Sequence, residues 1–170
     1  MDKEKEILAA ALRQAMQAEW DGHNYYRMVA EKTSDPGGRE TFNMLASEEL
    51  LHFEFLKAQY KAVMESGTPN EGLVLEEKRS PNDAGPIFSA DFKKRLAGAH
   101  FEMSALSIAA QLELSAIHFY KGESEKSSIP AVKKFFQELA NWESIHYRSL
   151  LQQQKSLQED YWNANRFYPF

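Results

Sequence analysis

The sequence predicts an all-α protein, an antiparallel four-helix bundle built from two similar helical hairpins. Turn-forming residues cluster in only three places, at 34–38, between 67 and 86, and at 127–130. The long stretches between these clusters contain no proline and are rich in Ala, Leu, Glu, Lys and Gln, which favour helix. Their apolar residues recur at steps of three and four, which is a helical period and not the alternation of a strand.

The same pattern sets the expected elements. We expect four helices, over residues 3–33, 39–66, 90–126 and 131–159. Gly67 is expected to end the second helix, and Ser89 is expected to cap the third. Short links join helix 1 to 2 and helix 3 to 4, so each pair forms an antiparallel hairpin. The link between helices 2 and 3, at about 67–89, is a long crossover that can traverse the bundle.

The last stretch, residues 160–170, is expected to form a tail beyond the helical domain of residues 1–159. It carries the aromatic residues Tyr161, Trp162, Phe167, Tyr168 and Phe170. Burial of large aromatic side chains is energetically favourable. We therefore expect the tail to pack on the bundle or on a neighbouring subunit.

Composition excludes several classes of protein. The 170 residues are 43% hydrophobic with a net charge of −5, and they contain no basic cluster that would bind nucleic acid. The apolar runs are too short to cross a membrane, and the first residues lack the pattern of a secretory signal, so we expect a cytoplasmic protein. The absence of cysteine excludes disulfides and metal sites with thiolate ligands.

An internal repeat relates the two halves, which align without a gap at a shift of 94 residues. The turn prolines Pro36 and Pro130 align, so the two hairpins have the same register. The polar residues that align include Glu19 with Glu113, Tyr26 with Tyr120, Glu49 with Glu143, and His52 with His146. Two such hairpins can pack about a pseudo-two-fold axis, and matched residues would then face each other across it.

Each half supplies one Glu from its first helix and one Glu-x-x-His pair from its second. The six residues are Glu19, Glu49, His52, Glu113, Glu143 and His146. Residues three apart share one face of a helix, so each pair can reach one point in the core. Four buried carboxylates are costly unless cations neutralise them. The set predicts a carboxylate-bridged site for two divalent metal ions, and its ligands suit iron, manganese or zinc.

The competing interpretation is that these residues lie on solvated helix faces, since one Glu-x-x-His pair is weak evidence. Two pairs in register with two further Glu residues favour the metal site. His23 lies one turn after Glu19 but aligns with Ile117, so we interpret it as a packed residue. Glu48 is interpreted as pointing away from the site, and Trp142 as a packing residue.

In these residues the chain resembles the rubrerythrin branch of the ferritin-like superfamily, over about residues 8 to 157. Bundles of this kind combine one Glu from each of two helices with one Glu-x-x-His from each of the other two. The resemblance implies a ferritin-like bundle with a non-haem centre of two iron ions that reacts with hydrogen peroxide or dioxygen. It implies bridging carboxylates at Glu49 and Glu143, terminal carboxylates at Glu19 and Glu113, and one imidazole per ion from His52 and His146.

The resemblance also implies that Tyr26 and Tyr120 donate hydrogen bonds to the carboxylates. The sequence departs from full-length rubrerythrins in two respects. Where they carry a further Glu that takes part in a redox-linked ligand exchange, this chain has Ala116, which argues against the same peroxidase cycle. They also carry a cysteine-ligated rubredoxin domain, so this cysteine-free chain calls for an external electron donor such as a rubredoxin or a reductase.

We therefore expect a di-iron oxidoreductase that reduces hydrogen peroxide or dioxygen, in the form of a homodimer. One alternative is an iron-binding protein, either an iron buffer or a ferroxidase that feeds iron storage. Another alternative is a structural bundle whose site holds zinc or manganese. The sequence shows no legible pocket for an organic substrate.

Overall fold

The computed structural model describes residues 3–75 and 85–167 of the chain. Its long helices are α1 (Lys3–Lys32), α2 (Pro36–Ser66), α3 (His100–Lys126) and α4 (Pro130–Ala164), and a short 3-10 helix at Phe92–Gly98 precedes α3. No β-strand occurs within the described ranges, and the predicted all-α, ferritin-like bundle is confirmed. None of these helices combines the length and the apolar composition that crossing a bilayer requires.

Short links and a long crossover give the bundle its topology. The links at 33–35 and 127–129 have three residues each, so α1 with α2 and α3 with α4 form antiparallel hairpins as predicted. Tyr26 of α1 contacts Glu113, and Tyr120 of α3 contacts Glu19. Glu19 comes before Tyr26 in α1, whereas its partner Tyr120 comes after Glu113 in α3. These two helices are therefore also antiparallel.

Proline and glycine set the ends of the helices. Pro36 and Pro130 each begin a helix, where a missing N–H costs nothing and the fixed φ fits the first turn. Gly67 ends α2 with φ 87°, a left-handed conformation in which its N–H donates to the carbonyl of Val63. The predicted stop at Gly67 is therefore confirmed.

The start of the third helix was predicted ten residues too early. Ser89 does not cap it, because its backbone N–H and its hydroxyl both donate to the buried carboxylate of Asp35. The residues that follow form the 3-10 helix, where Arg95 has φ −119° and ψ 19° and donates to the same carboxylate. The crossover is thus fastened to the first hairpin before α3 begins at His100.

The fourth helix runs through the boundary predicted at residue 159 and ends at Ala164. Tyr161 packs against the core, and its hydroxyl lies 2.7 Å from Nδ1 of His100. Trp162 meets Phe167 edge-on at a ring-centroid distance of 6.0 Å. The remaining predicted tail aromatics, Tyr168 and Phe170, lie outside the described residues.

The apolar core divides into two clusters, and each draws side chains from both hairpins. One contains Tyr26, Phe42, Leu106 and Leu150, and the other contains the repeat counterparts Tyr120, Phe136, Leu12 and Leu56. All eight are at most 1% exposed. Burial of each leucine favours folding by about 1.5–3 kcal/mol. The two clusters hold the hairpins against each other and enclose a polar layer between them.

Candidate metal centre

Four helices bring the six polar residues of the repeat together between the two apolar clusters. Their donor atoms form two overlapping groups, and within each group all atoms lie within 4.8 Å of one another. The His52 half consists of Glu19, Glu49, His52 and Glu143, and the His146 half consists of Glu49, Glu113, Glu143 and His146. Glu49 and Glu143 belong to both halves, as two bridging carboxylates would.

The buried atoms of this cluster suit metal coordination. Nδ1 of His52 lies 3.0 Å from Oε1 of Glu143, and Nδ1 of His146 lies 3.3 Å from Oε1 of Glu49. These approaches lack the geometry of hydrogen bonds. Within the described ranges, five buried atoms have no hydrogen-bond partner: Oε1 of Glu49, both carboxylate oxygens of Glu143, and Nδ1 of each histidine. Buried polar atoms without partners are costly, and a cation that these atoms coordinated would remove the cost.

The negative charges of the buried carboxylates also require positive charge within the cluster. Burial raises the pKa of Glu19, and the charges of Glu143 and Glu49 raise it further. Burial and the same two charges raise the pKa of Glu113. Burial alone would lower the pKa of His52, but the interactions with the carboxylates of Glu143 and Glu19 together outweigh burial and raise the pKa. Without metal the cluster thus retains protons, and divalent ions can supply that positive charge instead.

Two tyrosines link the hairpins through the outer carboxylates. The hydroxyl of Tyr26 donates to Oε1 of Glu113, and the hydroxyl of Tyr120 donates to Oε1 of Glu19. Each tyrosine therefore serves the carboxylate of the opposite hairpin and not the one on its own helix. Burial, followed by the charge of the nearby carboxylate, raises the pKa of both phenols, so they remain donors at neutral pH.

Comparison with known proteins assigns the family. A family model described as Rubrerythrin matches residues 10–152, which is most of the chain. The chain belongs to the rubrerythrin family. No curated protein sequence and no solved structure gave a significant match. The buried cluster of carboxylates and imidazoles in this chain could hold metal.

A cavity of about 290 Å³ opens between α1 and α3 and reaches the cluster of this rubrerythrin-family chain. Leu112 and Phe119 provide apolar wall, and the bridging candidates lie among the lining residues. Gly22 and Ala116, which the repeat aligns, also line the cavity. A Cβ at Gly22 would lie 3.3 Å from Oε2 of Glu49, so a side chain there would crowd the carboxylate. The sequence pattern did not predict this opening, because the opening depends on small residues at two matched positions.

The interpretation of Glu48 was wrong. Its Oε2 lies 3.0 Å from Nε2 of His146, and the two side chains are only 12% and 11% exposed. Glu48 does leave the inner face of α2, but in the direction of α4, where His146 lies. The position of Glu48 in the sequence predicts which side of α2 its side chain leaves, but it does not predict which other helix that side chain meets.

The remaining candidates lie beside the cluster. Nδ1 of His23 is 2.6 Å from the carbonyl oxygen of Ala46, and its ring stacks on Trp20. Trp142 stacks on His52 with ring centroids 5.8 Å apart. His23 is thus a packed residue, as predicted, and Trp142 supports the ring of a residue in the cluster.

Proposed function

We propose that this protein is a non-haem di-iron oxidoreductase that binds two iron ions per chain and reduces hydrogen peroxide or dioxygen with electrons from an external donor. The observation that carries the proposal is the shared pair of carboxylates between two buried donor groups. Family membership supports iron, since rubrerythrins are di-iron proteins.

The proposal gives each residue of the cluster a role. Glu49 and Glu143 would hold both ions, Glu19 and His52 would hold one, and Glu113 and His146 would hold the other. A bound pair of ferrous ions would supply two electrons, which together with two protons convert one hydrogen peroxide molecule to two water molecules. The hydroxyls of Tyr26 and Tyr120 fix the outer carboxylates and keep their orientation.

The cavity between α1 and α3 provides the route for the oxidant. It reaches the four carboxylates, and its volume exceeds the space of a few water molecules, each of which takes about 30 Å³. Leu112 and Phe119 limit the number of polar groups along the path. A partly apolar approach admits small oxidants, while the two apolar clusters flank the polar layer and keep bulk water from entering it along the bundle.

The electron donor is assigned to another molecule. The 170 residues contain no cysteine and so no thiolate-ligated iron site that could pass electrons to the cluster. A rubredoxin or a reductase would serve. The homodimer and the cytoplasmic location expected from the sequence stay predictions.

A second candidate is an iron-handling ferroxidase, and Ala116 favours it. Ala116 offers no carboxylate for a ligand exchange during a peroxidase cycle, whereas oxidation of iron by dioxygen needs only the six residues. A centre filled with zinc or manganese is compatible with the same ligands.

Rapid mixing of the anaerobic Fe(II)-loaded protein with hydrogen peroxide, and separately with dioxygen, tests the proposal. The near-ultraviolet absorption of the oxidised iron pair reports the rate, and zinc-loaded protein is the redox-inert control. Faster oxidation by peroxide supports a peroxide-reducing enzyme, and faster oxidation by dioxygen supports the ferroxidase or oxidase. A protein that binds no iron, or that reacts with neither oxidant, overturns the proposal.

A further inference from the structure

The two halves of the cluster differ in what contacts the outer side of each imidazole. On His146, Nε2 lies 3.0 Å from the carboxylate of Glu48. The repeat aligns Glu48 with Trp142, whose ring stacks on His52 at an interplanar angle of 25°. Matched positions thus place a carboxylate beside one histidine and an indole beside the other.

This difference acts on the nitrogen that faces the cluster. Nδ1 of His146 lies 3.3 Å from Oε1 of Glu49 and 3.4 Å from Oε2 of Glu143, while Nε2 points to Glu48. A carboxylate on one ring nitrogen keeps the proton there, leaves the other nitrogen as a lone-pair donor and increases its basicity. Glu48 therefore orients His146 with Nδ1 ready for a cation.

Trp142 cannot do the same for His52. Its indole N–H is a donor only and cannot accept a proton from imidazole. Stacking restrains the plane of the His52 ring but does not select which nitrogen carries the proton. Glu48 also brings a further negative charge to the His146 half, which strengthens the attraction for a cation there.

We propose that Glu48 is a positioning residue for His146 and that the two metal positions are unequal, the His146 half binding its ion more tightly and first. The inference rests on the ligand set of the proposed function. It adds Glu48, which lies outside that set, and the order in which the two ions bind.

Titration of the metal-free protein with Co(II), followed by visible absorption, measures both binding steps. We expect two steps in the wild-type protein, and Glu48→Gln should weaken only the tighter step, by roughly 10–100-fold, as loss of an outer partner of a metal ligand does. Glu54→Gln is the matched control, because Glu54 is an exposed residue of α2 paired with Lys57. It should change neither step.

Single-site variants assign the tighter step to its half. In a His52→Ala background Glu48→Gln should weaken the remaining ion and shift its Co(II) absorption, whereas in a His146→Ala background it should do neither. A purely structural role of Glu48 would weaken binding equally in both backgrounds and would overturn the inference. Two equal steps in the wild-type protein, or no effect of Glu48→Gln, would also overturn it.

The same titration separates this inference from the proposed function. If Glu143→Ala still binds two ions, the ligand set itself is wrong. If Glu143→Ala loses both ions while Glu48→Gln leaves both steps unchanged, the ligand set stands and only the inequality of the halves fails.

Discussion

At the start of α2 the cap residue is Asp35, whereas at the matched start of α4 it is Ile129. The Asp35 carboxylate accepts the N–H of Gly38, while Ile129 makes no side-chain cap. The difference follows the position of each hairpin in the chain. Asp35 also binds Ser89 and Arg95 of the crossover.

In the polar layer between the two apolar clusters, by contrast, most of the matched residues of the two hairpins are identical. All six residues of the cluster and both tyrosines align in the repeat, but some of their neighbours do not, as Glu48 and Trp142 illustrate. Matched ligands produce two halves of similar shape, and unmatched neighbours give each half its own properties. Under the proposed function, the hairpins are therefore alike at the residues that would hold the two ions and unlike at the neighbours Glu48 and Trp142.

The largest effect is expected at the shared carboxylates. Glu143→Ala and Glu49→Ala should each abolish binding of both ions, because both halves use these residues. Glu19→Ala and Glu113→Ala should each remove one ion. Metal content after dialysis measures the difference. Glu138→Ala, at an exposed position of α4, is the control. Two ions retained in Glu143→Ala would refute the assignment.

The next effect concerns the cap that distinguishes the hairpins. Asp35→Ala removes a helix cap and leaves its buried donors without an acceptor, so it should lower the free energy of unfolding by about 2–3 kcal/mol. Urea denaturation measures it. Asp91→Ala is the control, because Asp91 precedes the 3-10 helix without capping it. Equal stability of both variants would show that the crossover does not depend on Asp35.

Metal binding should strengthen as pH rises. In the metal-free protein Glu19 and Glu113 have pKa values raised above 4.5, and His52 and His146 have values raised above 6.5. Ions displace these protons, and each displaced proton adds about a tenfold gain in affinity per pH unit within the range of its titration. Zn(II) affinity measured from pH 6 upwards checks it, and an affinity independent of pH would contradict it.

The stability of the metal-free protein should change with pH in the opposite direction. A folded chain that binds more protons than the unfolded chain loses stability as pH rises. The raised pKa of Glu19 has this effect above pH 4.5, and the raised pKa of His52 has it above pH 6.5. Glu143 opposes the trend only in acid, since burial would raise its pKa but His52 and His146 together lower it. Thermal unfolding with and without Zn(II) should show a decline with pH that the metal abolishes.

The smallest effects should distinguish the halves through their tyrosines. Tyr26→Phe removes the donor to Glu113 and should weaken the ion of the His146 half by roughly tenfold, as loss of an outer hydrogen bond does. Tyr120→Phe should do the same to the His52 half through Glu19. Stepwise Co(II) titration resolves the two. If each variant weakened the ion of its own hairpin, the cross-hairpin pairing would be wrong.

Helical periodicity and the repeat made most of the fold predictable. The repeat also brought out the six residues that meet between the cores, because matched positions on matched helices share one face. Residues that depend on packing between elements were not predictable. Ser89 is of a residue type that often caps helices, but it donates to Asp35 instead. Glu48 contacts a histidine 98 positions away in the sequence. The cavity was not predictable because it depends on the absence of a side chain at Gly22 and on the small side chain of Ala116.

A crystal structure of the Fe(II)-loaded protein, with iron located by its anomalous scattering, tests the central claim most directly. We predict two iron positions about 3.5–4 Å apart between Glu49 and Glu143, with His52 and His146 on opposite ions. A single iron position, or iron bound away from these carboxylates, would contradict the di-iron assignment.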